Sequence, residues 1–198
     1  MDDAHKRRMI KNSASVVMRI YGSEVIEENN LSFPEHMFYE DNAIAPVWLM
    51  YIKHFELCEG PLYYYYMHDN STVHTITEER SKDRLKAIEI FISEMKARGF
   101  YETYKEEIEN VFIRLYLVNT LFGYMISCKR TRFSFVKDIK KGVMKYFPNF
   151  RNNKEYASIP DEEQKRMLDL FMKNTFAFYI YYGALWKYRR FRKGLNQS

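Results

Sequence analysis

The sequence predicts a mainly α-helical protein, with short strands in its first third and a helical remainder. Three observations support this class. The chain has only 7 glycines in 198 residues and an aromatic content of 17%, a composition typical of packed helices. Apolar residues recur at helical spacing from position 78 onward, whereas β-prone runs occur only before position 77. We therefore expect two regions, residues 1–77 and residues 78–198.

Elements of both kinds are predicted in the first region. A β-prone run at 15–20 leads into a helical turn at 22–28, which the Asn29-Asn30 pair closes. Apolar residues then recur at helical spacing over 40–53, with Pro46 placed early, where its missing N–H costs least. Two further segments, 54–59 and 62–67, predict two short strands or one bent strand around the Gly60-Pro61 turn, and a polar loop follows at 68–77.

Helical patterns continue through the second region. A helix is expected from residue 78 to residue 98, because Gly99 is a typical stop signal. A long helix at 101–127 and a shorter one at 134–146, ending before Pro148, come next. The last helix is predicted over 160–190, since Pro160-Asp161 is a good start signal.

Composition limits the functional classes. A hydrophobic content of 46% with 29% charged residues indicates a globular chain rather than a disordered one. No apolar run approaches the roughly 20 residues that a transmembrane helix requires, and the charged first eight residues do not resemble a secretory signal. Cys58 and Cys128 have neither metal-site spacing nor a disulfide framework, so they predict plain buried thiols and a cytoplasmic setting.

The adjacent acids Glu40 and Asp41 stand where the predicted third helical segment begins. Carboxylates at this position complement the helix dipole and cap free N–H groups, which is a sufficient structural role. Alternatively, one carboxylate at the edge of a cleft acts as a general base on an attacking hydroxyl. These two residues alone leave both interpretations open.

The neighbouring sequence favours the second interpretation. The stretch "IYGSEVIEENNLSFPEHMFYEDNAIA", residues 20–45, is followed by "GPLYYYYMHDNST", residues 60–72. In these segments the chain resembles the C-terminal half of bacterial family 2 glycosyltransferases, which are inverting enzymes with a nucleotide-sugar-binding fold of the GT-A type. The resemblance implies that the predicted strands are a remnant of that α/β fold, and that the chain transfers a sugar from a nucleotide-sugar donor to a glycan or lipid-linked acceptor.

The resemblance also implies roles for individual residues. Asp41 corresponds to the family's catalytic base, and Glu40 would be a supporting acid. The loop at 67–75 corresponds to a segment near the diphosphate, where a substrate contact is expected from His68, Asn70, Ser71 and His74. His68 or His74 could instead be a metal ligand contributed late in the chain. The alternative to both functional roles is that the histidines are surface residues and that Asn70 and Ser71 form a turn. Tyr65, within the run Tyr63–Tyr66, is expected either to stack on a sugar ring or to pack in the core.

One family feature is missing from the sequence. The family holds a divalent metal, Mg²⁺ or Mn²⁺, on the donor diphosphate through an Asp-x-Asp motif, and this chain contains no such motif. We therefore expect a C-terminal fragment that binds no metal by itself and has little activity without a donor-binding half. The alternative is a non-catalytic helical interaction module or a membrane-peripheral module.

The end of the chain mixes aromatic and basic residues, finishing in "WKYRRFRK" at 186–193. This pattern predicts a helix that pairs with a second copy of the chain or with the missing half, or one that contacts the inner face of the membrane. Nucleic acid is not expected as a partner, because no recognition motif accompanies the basic residues.

Overall fold

The computed structural model describes residues 1–12, 16–17, 19–61, 63–64, 66, 76–157, 159 and 161–195. Its secondary structure there is helical. The α-helices are α1 (Asp3–Lys11), α2 (Ser23–Glu28), α3 (Glu40–Trp48), α4 (Glu78–Ala97), α5 (Lys105–Val111), α6 (Thr120–Ser127), α7 (Phe133–Tyr146), α8 (Lys154–Ala157), α9 (Glu162–Lys173) and α10 (Thr175–Leu195). Two 3₁₀ turns, Leu49–Tyr51 and Phe150–Asn152, and a π-helical segment, Phe112–Asn119, complete the set. The mainly α class is confirmed.

The chain divides into two compact units. The first comprises Met1–Thr75 and Lys82–Phe112, and the second comprises Ile76–Ser81 and Ile113–Ser198. The core of the first unit is formed by α3, α4 and α5, and its fully buried side chains include Leu49, Phe91, Met95 and Ile108.

Helix α1 was not predicted from the sequence. It begins at a standard cap, because the Asp2 carboxylate accepts a hydrogen bond from the backbone N–H of His5 at 2.8 Å. Arg7 then ties α1 to α5 through a 2.8 Å ion pair with the buried Glu107. The first residues therefore form part of the core of this unit, and Ile10 is fully buried.

The end of α4 follows the prediction. Gly99 adopts a left-handed conformation, φ 76°, and the N–H of Phe100 donates to the carbonyl of Met95 at 2.9 Å. This geometry closes the helix with a residue that lacks the steric cost of a Cβ. Arg98 beside it donates to the carbonyl of Asn29 at 2.9 Å and to the hydroxyl of Tyr51 at 3.0 Å.

The second unit has an aromatic core. Phe178, Tyr182 and Trp186 lie one turn apart on the inner face of α10, and all three are buried. Phe178 packs on Phe171 of α9 with ring centroids 5.3 Å apart, and Trp186 packs on Phe122 of α6 at 6.1 Å.

Two predicted long helices are interrupted. The expected helix over 160–190 is two helices, because Asn174 leaves the helical conformation and its side-chain oxygen accepts from the N–H of Ala177 at 3.0 Å. The expected helix over 101–127 begins at Lys105 and widens into a π-helix. Directly after it, the hydroxyl of Thr120, the first residue of α6, donates to the carbonyl of Leu115 at 2.8 Å. Asparagine competing for backbone groups explains the first interruption.

The predicted short strands of the first third do not occur among the described residues. Residues 54–59 are all described and form an exposed, irregular segment; of the other two runs, the described positions are 16, 17, 19, 20, 63, 64 and 66. A strand requires a neighbouring backbone to satisfy its N–H and C=O groups, and side chains such as Leu57 and Tyr64 are exposed rather than packed. Local β propensity was therefore not sufficient. Cys58 in this segment is exposed, contrary to the expected burial, whereas Cys128 is buried.

Candidate functional site

The site lies at the amino terminus of α3, and the turn before it is held by α4. Tyr39 adopts a left-handed conformation, φ 65° and ψ 30°, immediately before the helix. Its hydroxyl accepts a 2.7 Å hydrogen bond from Arg84, whose guanidinium carbon lies 4.3 Å from the ring centroid. The N–H of Phe38 donates to the carboxylate of Asp83 at 3.1 Å. These contacts stabilise a backbone conformation that a bulky residue rarely adopts.

The two acids of the pair have different surroundings. Glu40 is exposed, whereas Asp41 is half-buried and its neighbour Asn42 is buried. Asp41 Oδ1 accepts two hydrogen bonds, from the backbone N–H of Asn42 at 2.8 Å and from Asn42 Nδ2 at 2.7 Å. Because both bonds end on one oxygen, the orientation of the carboxylate is fixed while further acceptor capacity remains on Oδ2.

Burial raises the pKa of the Asp41 carboxyl above its ordinary value, because the charged form loses solvation. The two hydrogen bonds from Asn42 act in the opposite direction, and the charge of Glu40 raises the pKa further. Burial therefore has the largest effect on the pKa of this carboxyl. A raised pKa makes Asp41 a stronger base than an exposed aspartate, and this is the property that a proton acceptor requires.

An aromatic cluster lies at the other end of α3. Trp48 packs edge-on against Tyr21, with ring centroids 5.0 Å apart, and is 4.8 Å from the ring of Phe33. The hydroxyl of Tyr21 and Nε1 of Trp48 are buried without a hydrogen-bond partner among the described residues. Buried polar atoms are nearly always paired, so a ligand or an ordered water is the usual explanation for such groups.

The cluster and the carboxylate share one face of the helix. Asp41 and Trp48 are seven residues apart, which on a regular helix corresponds to two turns, or about 10 Å along the axis. Pro46 lies between them in the second turn, as expected, and donates no N–H to the carbonyl of Asn42.

The other predicted site residues, Tyr65, His68, Asn70, Ser71 and His74, lie outside the described residues. Within the described ranges, no group of three His, Cys, Asp or Glu side chains comes together as a metal-ligand set. The described residues therefore offer no ligand set for Mg²⁺ or Mn²⁺.

Sequence reasoning missed several residues that define this site. Asn42 and Arg84 were not selected, although an asparagine directly after an acid pair is a signal for a local side-chain hydrogen bond. The orphaned polar atoms of Tyr21 and Trp48 have no sequence signal, because they depend on burial.

The described part of the chain has no helix that is both long enough and apolar enough to cross a membrane. Comparisons of this chain with protein-family models, curated proteins and solved structures gave no match. The chemistry available at the amino terminus of α3 is the acceptance of a proton by an oriented, half-buried carboxylate.

Proposed function

We propose that this chain carries the acceptor side of an inverting glycosyltransferase, with Asp41 as the general base. The observation that carries the proposal is the half-buried Asp41 carboxylate, held by Asn42 at the amino terminus of α3 with a raised pKa. The family-like segments around it, residues 20–45 and 60–72, support the same assignment.

The proposed reaction is a single displacement. The acceptor hydroxyl transfers its proton to Asp41 as its oxygen bonds to the anomeric carbon of the donor. The bond from that carbon to the nucleoside diphosphate breaks, and the electron pair leaves with the diphosphate. The configuration of the anomeric carbon is inverted, and one base is sufficient.

Aromatic groups give the acceptor a surface to bind. Phe33, which contacts Trp48, is partly exposed at 39% of its surface, and aromatic faces pack well on the C–H-rich faces of sugar rings. The donor nucleotide sugar and its Mg²⁺ or Mn²⁺ are not assigned to any of the described residues.

The test is transfer from a panel of nucleotide sugars, measured with the full encoded protein and its Asp41→Asn variant. Asparagine keeps the Oδ1 acceptor for Asn42 but cannot take a proton. We expect kcat to fall by about 10²–10⁴-fold, with a small change in KM. The acid limb of the rate–pH profile should disappear from the residual activity.

Glu40→Gln is the matched control, because it removes the neighbouring but exposed acid. It should retain most of the activity. If the Asp41→Asn variant transfers sugar from any donor as fast as the wild-type protein does, Asp41 is not the base. Absence of transfer from every donor in the panel by the wild-type protein would count against the transferase itself.

A second candidate function is a non-catalytic interaction or membrane-peripheral module, in which Glu40 and Asp41 only complement the dipole of α3. The exposed aromatic face of α10 favours it. In that case Asp41→Asn would alter stability alone, and binding would map to the second unit.

A further inference from the structure

One face of α10 exposes large apolar side chains in a continuous row. Phe176, Ile180, Ala184, Tyr188 and Phe191 follow one another at spacings of four, four, four and three, so they lie on one side of the helix. Their large members are exposed to between 54% and 66% of their surface. We call these five residues the α10 stripe. It is about 22 Å long on a regular helix.

The opposite face of α10 is anchored in the second unit. Phe178, Tyr182 and Trp186 are buried there, and Arg190 donates to the carbonyl of Ile126 at the end of α6, at 3.0 Å. Arg189 pairs with Glu163 of α9 at 2.8 Å. Because the inner face is committed to the core, the outward direction of the stripe is fixed by the fold. Exposed rows of this kind mark interaction sites.

Basic residues outnumber acidic ones in the segment that carries the stripe. Residues 113–198 contain 18 Lys and Arg but only 6 Asp and Glu, a net charge of +12, whereas the complete chain has +5. Lys187 lies within the angular range of the stripe and Arg192 lies at its edge, and both are exposed. Arg190 donates to the carbonyl of Ile126. Lys129 and Arg130 are three and four residues further along the chain, and both are exposed.

This combination selects among possible occupants. A second copy docked stripe to stripe would bring like charges together, which is unfavourable for a two-fold interface. A nucleic acid would use the basic residues but would leave the aliphatic Ile180 exposed. An anionic lipid surface accommodates both, since apolar and aromatic side chains enter the boundary between headgroups and acyl chains while lysine and arginine reach the phosphates.

We propose that the α10 stripe docks this protein peripherally on an anionic lipid surface, with α10 lying parallel to the membrane plane. Phe176, Ile180, Tyr188 and Phe191 enter the interface, while Lys187 and Arg192 contact lipid phosphates. The docking does not depend on the transferase proposal, because it uses the second unit, whereas the candidate base belongs to the first.

The test is co-sedimentation of the full-length protein with vesicles. Binding is expected to vesicles of phosphatidylcholine with 30% phosphatidylglycerol, chosen as the anionic probe, and not to vesicles of phosphatidylcholine alone. Raising the salt from about 0.1 M to about 0.5 M should weaken binding severalfold, because screening shortens the reach of the basic residues.

Two double variants separate the apolar and the charged contributions. Tyr188→Gln with Phe191→Gln should reduce the vesicle partition coefficient by about tenfold or more, because both aromatic rings leave the interface. Lys187→Gln with Arg192→Gln should do the same, since each basic residue near an anionic surface contributes about fivefold. Glutamine is a good helix former, so α10 is preserved.

Matched controls lie in the first unit. Phe55→Gln with Leu57→Gln removes exposed apolar residues, and Lys53→Gln with Lys105→Gln removes exposed charges. Neither control should change binding. Far-ultraviolet circular dichroism of every variant should match that of the wild type if the fold is preserved.

Three results would overturn the proposal. The first is no binding of wild-type protein to anionic vesicles at low salt. The second is vesicle binding that the stripe variants leave unchanged. The third is that the stripe variants keep their vesicle binding but lose another interaction of the wild-type protein. That interaction would be a dimer, measured by sedimentation velocity, or the binding of a duplex oligonucleotide.

Discussion

At the scale of single residues, the contrast between Glu40 and Asp41 is the informative feature. The two acids are adjacent and belong to the same helix terminus, yet one is exposed and the other half-buried with its Oδ1 bonded twice to Asn42. The sequence identified the pair and its position at the start of α3. It could not identify which acid loses solvation, because burial is decided by what packs around the turn.

The raised pKa of Asp41 predicts a dependence of stability on pH. Between the carboxyl pKa of the unfolded chain and the higher pKa of the folded protein, the folded state binds more protons, so stability from this group falls as pH rises. Above this window the folded protein retains a poorly solvated charge. Asp41→Asn should therefore raise the free energy of unfolding at pH 7, and the gain should shrink toward pH 3, where wild-type Asp41 is protonated in both states.

Urea denaturation at both pH values measures this effect. Glu40→Gln is the control and should give no comparable gain, since that side chain is exposed. A loss of stability in Asp41→Asn at pH 7 would indicate that the carboxylate acts mainly as a structural cap.

At the scale of elements, the local signals in the sequence located the helix ends well. Gly99 ends α4 and Asp161 begins α9, where its carboxylate accepts from the N–H groups of Glu163 and Gln164 at 2.8 and 3.1 Å. Both signals act through residues within five positions of each other, so no tertiary information is required. The interruption at Asn174 and the π-helix at Phe112–Asn119 were missed, because the apolar periodicity continues through both.

Close packing of α7 on the π-helical segment gives a prediction for Gly142. A Cβ at this position would collide with the ring and hydroxyl of the buried Tyr116. Gly142→Ala should therefore destabilise the protein by about 1–3 kcal/mol, despite the better helix propensity of alanine.

Gly183 of α10 provides the matched control. A Cβ there would meet only Met125 Cε, at an ordinary 3.7 Å. Gly183→Ala should be neutral or stabilising by up to about 1 kcal/mol, because without a steric clash the higher helix propensity of alanine sets the change in stability. Thermal denaturation compares the two variants, and equal effects would contradict the proposed close approach.

At the scale of the whole molecule, contacts between distant parts of the sequence organise each unit. In the first unit, Arg7 and Glu107 pair across a sequence separation of 100, and the hydroxyl of Tyr104 donates to Asp3. Burial and the nearby Asp3 carboxylate raise the pKa of Tyr104 to about 12. These contacts make α1 part of the core, although most of its residues are charged.

Breaking the Arg7 pair should be costly because Glu107 has only 7% of its side chain exposed. Arg7→Ala leaves that carboxylate without its ion-pair partner and should lower the free energy of unfolding by about 2 kcal/mol, less than for a fully buried pair because Arg7 itself is partly exposed. Arg8→Ala is the control on the same helix, and its effect should be within about 0.5 kcal/mol. Chemical denaturation of both variants measures the difference, and equal losses would contradict the role of the pair.

The sequence by itself determined the helical class, the starts and stops of α2, α4 and α7 and the position of the acid pair. Each of these depends on periodicity or capping within a few residues. Only the tertiary structure decided that the β-prone segment at 54–59 stays irregular, that α1 joins the core, that Asp41 is half-buried and that the α10 stripe faces outward. The physical reason is that burial and strand pairing require surfaces that the chain brings together from distant positions, and local propensity contains no information about those surfaces.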